Sequence, residues 1–236
     1  MQSFDMDQVE SPISGAQLGD RAQFISRTYG HLAGAGLAFM AVEAVFLNSP
    51  VADAMLSLMG MGKLAWFAVL AAFMGITWFA QNMANRSASL GAQYAGLGIY
   101  IVAEALIFVP ILYFLTRKGG TDTIAMAAAI TGALFIGLTV VAFTTKKDFS
   151  FLGSILKIGG FVALGVIGAS MLFGFNLGLL FASVMVLFAG GAILYDTSNI
   201  MYRYGQNQYV AASLSLFASV MLLFWYILRI LMGRRD

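Results

Sequence analysis

Long apolar stretches separated by short polar segments run along almost the whole chain. A helix needs about 20 apolar residues to cross a hydrocarbon core ~30 Å thick, and seven stretches reach this length. From residue 151 to residue 195 only Lys157 is charged, and this run exceeds one crossing, so the chain must turn back at Gly174–Gly178. The pattern predicts an all-α polytopic integral membrane protein, a seven-transmembrane-helix bundle with spans at about 28–47, 63–81, 93–115, 123–143, 151–174, 177–201 and 210–232.

Composition supports a membrane-embedded chain, because 60% of the residues are hydrophobic and only 10% are charged. A soluble protein of this length needs more charge to cover its surface. In residues 1–23, all acidic residues precede the first basic one, and we expect a mobile acidic tail there, ahead of a transmembrane domain at 24–236. The absence of cysteine excludes disulfides and thiolate metal sites. The net charge of +2, carried by scattered basic residues, argues against nucleic-acid binding.

Basic residues near the span ends predict the orientation. If the N-terminus is cytoplasmic, the cytoplasmic segments contain Arg21, Arg27, Arg86, Lys146, Lys147, Lys157 and Arg203. The other side then holds Lys63, Arg117, Lys118 and the arginines at the C-terminal end. Because early spans usually dominate orientation, we expect a cytoplasmic N-terminus, and the odd number of spans places the C-terminus on the opposite side.

Most of the 26 glycines fall inside the predicted spans, as in Gly30-x-x-x-Gly34. Small residues let helix backbones approach each other closely in a membrane. No predicted strand precedes these glycines, so phosphate-binding loops are not indicated. We therefore expect close helix packing at these positions.

Four acidic or histidine side chains lie inside the predicted spans, namely His31, Glu43, Glu104 and Asp196. An unpaired charge in the hydrocarbon core is costly, so each is a candidate functional residue. His31 and Glu43 lie near span ends, where a histidine can sit at headgroup level and a glutamate can reach the surface. Glu104 lies in the middle of the third span, and it must be either ionised among donors inside the bundle or protonated.

Asp196 lies close to the end of the sixth span, with Asn199 and Arg203 along the same helical face. Arg203 is two helical turns away and cannot pair directly with Asp196 on a straight helix. Arg86 ends the second span at a matching depth. We therefore expect Arg86 to be the counter-ion of Asp196.

The sequence argues against three classes of intramembrane enzyme or photoreceptor. An aspartyl protease needs a second carboxylate in the last span, and residues 210–232 contain no acidic residue. A retinal protein needs a lysine in that span, and none is present. The sequence also argues against a serine protease of the rhomboid type, because the only histidine lies near one end of the first span. We expect no enzyme activity.

Three segments carry a resemblance to a known family. They are Gly191–Ile200 (GAILYDTSNI), the connection TTKKDFSFLG at 144–153, and DTIAMA at 122–127. With the last span ending in Leu228 and Arg229, they resemble the Bax inhibitor family of seven-span membrane proteins, and within it the bacterial YccA-like branch. The similarity runs from about Arg27 to the C-terminus.

The resemblance implies a multi-pass protein of the bacterial inner (plasma) membrane, in contact with lipid and without a cofactor. It also implies two functions. In one, the protein restrains the membrane protease FtsH, which grips the cytosolic N-terminal tail. In the other, paired aspartates on the sixth and seventh spans sense pH and gate a slow calcium leak, with an arginine of the second span latched onto the sixth-span aspartate.

Carried onto this chain, the sixth-span aspartate is Asp196 and the arginine is Arg86, although the sequence around Arg86 matches poorly. The seventh-span aspartate of the family falls on Ser219, and its nearby asparagine falls on Leu222. A serine supplies no negative charge for Ca²⁺, which usually takes six to eight oxygen ligands. The leak, with Ca²⁺ or H⁺ as its ion, therefore requires another acid, for which Glu104 is the candidate. We accordingly expect a non-enzymatic modulator of FtsH, with a pH-sensitive calcium or cation leak as the alternative.

Overall fold

The computed structural model describes residues 15–86, 89–145 and 147–233, with side chains from residue 19 onward. The described parts of the chain are almost entirely helical and contain no strand. Eight helices follow one another as α1 (Gly15–Leu47), α2 (Pro50–Gly60), α3 (Lys63–Arg86), α4 (Leu90–Arg117), α5 (Thr121–Thr145), α6 (Leu152–Phe173), α7 (Gly178–Tyr202) and α8 (Tyr209–Met232).

Seven of these eight helices are long and apolar enough to cross a membrane, with a mean hydropathy between 1.6 and 2.3. The exception is α2, whose 11 residues are too few for a crossing. Ser49 begins it as an N-cap whose Oγ accepts a bond from the backbone N–H of Val51, and Pro50 follows as the first helical residue. The prediction of an all-α polytopic membrane protein is confirmed.

Two ends of the bundle can be distinguished. The N-terminal face contains the starts of α1, α4, α6 and α8 and the ends of α3, α5 and α7. At this face hydrogen bonds join α1 to the end of α7, α4 to the loop before α8, and the loop after α5 to α7. Gly96 near the start of α4 packs against Ala84 near the end of α3. The opposite face contains α2 and the remaining helix ends. The chain turns between α6 and α7 at Gly174, whose φ of 76° favours glycine. This turn lies at the break that the sequence predicts.

Helices α4 and α8 form the centre of the bundle, since half or more of the residues in each are buried. Their contact is aromatic: the ring of Phe108 stacks on Phe224 at 5.5 Å and meets Trp225 edge-on at 5.0 Å. Phe39 of α1 also packs edge-on against Phe108. The remaining spans pack around this pair, and polar side chains such as Glu104 of α4 and Ser219 of α8 are buried inside the bundle.

Some glycines of the bundle lie at close helix contacts, and others border open space. At Gly96 a Cβ would lie only 2.6 Å from the carbonyl oxygen of Ala80, so this glycine permits close contact between α3 and α4. At Gly30 and Gly34 a Cβ would meet nothing within 4 Å. The expectation of close packing therefore fails at Gly30-x-x-x-Gly34, which borders open space.

Helix α1 begins at Gly15, inside the segment 1–23 that the sequence predicts as a tail and ahead of the predicted start of the first span near residue 28. Hydropathy detects only the apolar part of a helix, whereas the first turns of α1 are stabilised by contacts with the protein. Phe24 is fully buried, and Arg21 is bonded to the end of α7. Residues 1–14, the rest of the predicted tail, lie outside the described residues.

Candidate functional site

The last two turns of α7 are unusually polar for the interior of a membrane protein. Asp196, Thr197, Ser198 and Asn199 are consecutive and all buried. They are buried because α7 and α8 form a tight antiparallel pair at the N-terminal face, with α1 and α5 packed over them. Polar side chains in such a place need partners from the neighbouring helices.

Asp196 has its partner on α8. The hydroxyl of Ser219 donates a hydrogen bond of 2.5 Å to Oδ2 of Asp196, and each residue is only 8% exposed. Ser219 thus occupies the position at which the resemblance places a second aspartate, and it faces Asp196 directly. The pair consists of one carboxyl and one hydroxyl. These groups share a hydrogen bond, and the contact contains only one acid.

Glu104 is buried in the middle of α4, as its sequence position predicts. Tyr100, one helical turn nearer the N-terminal face, interacts with the Glu104 carboxyl and with the Gln81 amide of α3. Among the described contacts no hydrogen bond joins Glu104 to Asp196, and the described neighbour of the Glu104 carboxyl is the Tyr100 phenol.

Glu43 does not reach the surface, contrary to the expectation for a residue near a span end. It is only 4% exposed, and neither carboxyl oxygen has a hydrogen-bond partner among the described residues. The cause is the short helix α2 and the neighbouring part of α4, which cover this end of α1. The side-chain oxygen of Asn199 is likewise buried without a partner in the described chain.

Arg86 is exposed at the last residue of α3. No hydrogen bond or ion pair among the described residues links it to Asp196. Asp196 lies six residues inside the end of α7 and is already bonded to Ser219. The structure therefore does not bring together the predicted pair of Arg86 and Asp196.

The arginine that does contact α7 is Arg21 of α1. Its guanidinium donates to the carbonyl oxygens of Ile200 at 2.5 Å, Met201 at 2.9 Å and Tyr204 at 2.7 Å. The last carbonyls of a helix have no partner within it, and a planar guanidinium can bind several of them at once. Arg21 is therefore an external cap for α7, one turn beyond Asp196. No spacing in the sequence links residues this far apart.

Tyr204, in the loop after α7, is held from two sides. Its carbonyl accepts the bond from Arg21, and its hydroxyl lies 3.0 Å from Oγ of Ser215 on α8. Burial, together with the nearby negative charge of Asp196, raises the pKa of Tyr204 to about 12. The phenol is therefore protonated at physiological pH and can donate a hydrogen bond.

Two further side chains join the loops of the N-terminal face. Gln93 of α4 is fully buried; its amide donates to the carbonyl of Asn207 at 2.9 Å and accepts from the backbone N–H of Ala211 at 3.2 Å. This second bond satisfies one of the free N–H groups at the start of α8. Gln93 was not among the candidates from the sequence, because one glutamine in a span gives no signal of its partners.

Asp148 connects the loop before α6 to the end of α7. Its carboxylate accepts bonds from the backbone N–H of Ser150 at 2.9 Å and the hydroxyl of Ser198 at 3.3 Å, and it lies 3.6 Å from Arg203. The bond from the Ser150 backbone, helped by Ser198 and Arg203, lowers the pKa of Asp148. Arg203 and Asp148 are both more than half exposed, so their ion pair alone adds little stability.

Comparison with known proteins gives one family and several relatives. The family described as "Inhibitor of apoptosis-promoting Bax1" matches residues 21–236. The chain is 32% identical over 199 residues to "Modulator of FtsH protease YccA" of Escherichia coli K12, which covers 83% of each protein. It is 34% identical over 166 residues to an uncharacterised protein of Pseudomonas aeruginosa, with 70% of this chain and 72% of that protein covered. A shorter similarity, 34% over 115 residues, relates 46% of the chain to mouse "Protein lifeguard 4".

Proposed function

The chain belongs to the Bax inhibitor family, and from this membership we propose that it is a non-enzymatic, multi-pass inner-membrane protein that modulates proteolysis by an FtsH-type membrane protease. The observation that carries the proposal is the similarity to the FtsH modulator of Escherichia coli, which extends over 83% of both proteins. A relative from another Escherichia coli strain, equally similar, bears the name of an inner membrane protein.

The position of the N-terminus supports this proposal. Basic residues at the N-terminal face favour a cytoplasmic location for that face, and the acidic residues before Gly15 precede α1 in the sequence. These residues continue directly into α1, and Arg21 then holds α1 to the last carbonyls of α7. A protease that pulls on the N-terminal segment therefore pulls against the Arg21 cap, and this resistance gives the bundle a way to retard its own degradation.

The test uses the full chain and a deletion of residues 2–14, which leaves α1 and Arg21 intact. In cells, the protease should co-purify with the full chain, and the deletion should lengthen the chain's half-life. A variant with Asp5, Asp7 and Glu10 changed to Asn, Asn and Gln is the matched control, because it keeps the length of the segment and removes only its charge. If no protease co-purifies and the deletion leaves the half-life unchanged, the proposal is wrong.

A pH-sensitive cation leak is the second candidate, and the burial of both Asp196 and Glu104 in one bundle favours it. The pairing of Asp196 with Ser219 weighs against a calcium site at this point, because Ca²⁺ prefers several carboxylate ligands. In the described residues, no group of three His, Cys, Asp or Glu side chains is placed to hold a metal ion. We therefore rank the leak below the modulator.

A further inference from the structure

A groove of about 580 Å³ runs along the outside of the bundle between α1 and α4. Its floor and walls are apolar or small, and its end at the N-terminal face is polar; the residues that line it include Gly30, Gly34, Ala38, Leu97, Gly98 and Ile101. The groove opens on the side of two membrane-spanning helices. It therefore faces the lipid hydrocarbon along most of its length.

The space in this groove is not filled by the protein. A Cβ added at Gly30, Gly34 or Gly98 would meet no atom within 4 Å. At Gly96, on the inner side of the same helix, the corresponding distance to Ala80 is 2.6 Å. The glycines of the groove thus leave open space at the surface, beside the backbones of α1 and α4.

The positively charged side chain of Arg27 lies at the polar end of the groove. The guanidinium of Arg27 lies 5.6 Å from the ring centre of Tyr209, and no carboxylate of the described residues is within ion-pair distance of it. No acidic residue lines the groove. The charge of Arg27 is therefore uncompensated by the parts of the protein that the structure describes, and it complements an anion.

The aromatic residues around Arg27 mark the depth of this end. The hydroxyl of Tyr94 lies 2.7 Å from Nε2 of His31, while Nδ1 of His31 lies 2.7 Å from the carbonyl oxygen of Arg27. Because a carbonyl can only accept, Nδ1 carries a proton and Tyr94 donates to Nε2 in the neutral ring. Tyrosine is enriched at the membrane–water interface, so Tyr94 and Tyr209 place Arg27 at headgroup level.

We propose that this groove binds an anionic phospholipid, with its phosphate headgroup on Arg27 and one acyl chain along Gly30, Gly34 and Gly98. The shape suits a hydrocarbon chain, and the charge selects the headgroup. Basic pockets between transmembrane helices bind acidic lipid headgroups by the same combination. The lipid site is independent of any protease partner, and it would hold α1 against α4 close to the start of the transmembrane bundle.

The test is native mass spectrometry of the full chain in a neutral detergent, titrated with phosphatidylglycerol or with phosphatidylcholine of the same acyl chains. Because one uncompensated arginine lies near the membrane surface, we expect the unmodified chain to bind phosphatidylglycerol about five-fold more tightly than phosphatidylcholine. Arg27→Gln should remove this preference, whereas Arg229→Gln, at an exposed arginine of the opposite face, should retain it. Gly34→Leu should lower the occupancy of both lipids because the new side chain fills the groove.

Gly137→Leu is the matched control for the groove, since Gly137 of α5 is also exposed with open space at its Cβ. It should leave lipid binding unchanged. Equal binding of the two lipids by the unmodified chain, or an equal loss of lipid in Gly34→Leu and Gly137→Leu, would overturn the proposal. So would a dimer that Gly34→Leu dissociates, because the groove would then be occupied by a second copy of the chain.

Discussion

Ser219 of α8 donates a 2.5 Å hydrogen bond to Asp196 of α7 in the buried interior of the bundle. This bond joins the two helices at the depth where the family resemblance places two acids. Because one partner is a hydroxyl, the contact involves no repulsion between like charges, whatever the ionisation state of Asp196. We therefore interpret the pair as a structural link between α7 and α8.

Replacing Ser219 by Ala should lower the free energy of unfolding by about 1–3 kcal/mol, because it leaves a buried carboxyl oxygen without its donor. Denaturant unfolding in detergent micelles measures this change. Ser213→Ala is the control: Ser213 is also buried on α8, and among the described contacts its hydroxyl donates to the carbonyl of Val210 in the same helix. If the two substitutions lower the free energy of unfolding equally, the hydrogen bond to Asp196 contributes no more to stability than a hydrogen bond within α8.

Replacing Arg21 by Lys should destabilise the end of α7, because an ammonium group cannot bind three carbonyl oxygens with the geometry of a guanidinium. We expect a loss of about 1–3 kcal/mol and faster hydrogen exchange of the amides at residues 199–204. Hydrogen exchange followed by mass spectrometry reports both the rate and the position. Arg86→Gln should leave this exchange unchanged. A larger effect of Arg86→Gln than of Arg21→Lys would support Arg86 as the arginine that holds the end of α7.

These contacts show which features the sequence could predict. The seven spans follow from hydropathy, since each crossing needs its own apolar run. The resemblance aligns position 219 with an aspartate of the seventh span, but the sequence predicted Arg86 and not Ser219 as the partner of Asp196. The role of Arg21 could not be predicted, because its partners are backbone carbonyls about 180 residues away and carry no sequence signal. The helix α2 has a recognisable start at Ser49 and Pro50, but hydropathy alone selects only segments long enough to span.

Replacing Asp148 by Asn should destabilise the chain in a pH-dependent way. The pKa of Asp148 is lowered in the folded protein, so its stabilising effect is complete above the unfolded value of about 3.9 and is lost as the pH falls through the lower folded value. The difference in unfolding midpoint between the two proteins should therefore be present at neutral pH and shrink at lower pH. A difference that stays constant from neutral to strongly acidic pH would exclude a role for the ionised carboxylate.

Flux measurements distinguish the modulator hypothesis from the leak hypothesis. Because Asp196 is paired with Ser219 and not with a second acid, we expect calcium flux into dye-loaded liposomes to stay at the level of protein-free liposomes between about pH 5 and pH 8. Asp196→Asn should then cause no change in flux. A flux above background whose pH dependence is altered by Asp196→Asn would support the leak instead.

The modulator account is tested most directly by the rate at which an FtsH-type protease degrades a reporter membrane substrate in proteoliposomes. The account predicts that the rate falls when the full chain is reconstituted with the protease. An unrelated seven-span protein at the same protein-to-lipid ratio should leave the rate unchanged. A rate that is the same with the chain, with the unrelated protein and with protease alone would contradict the account.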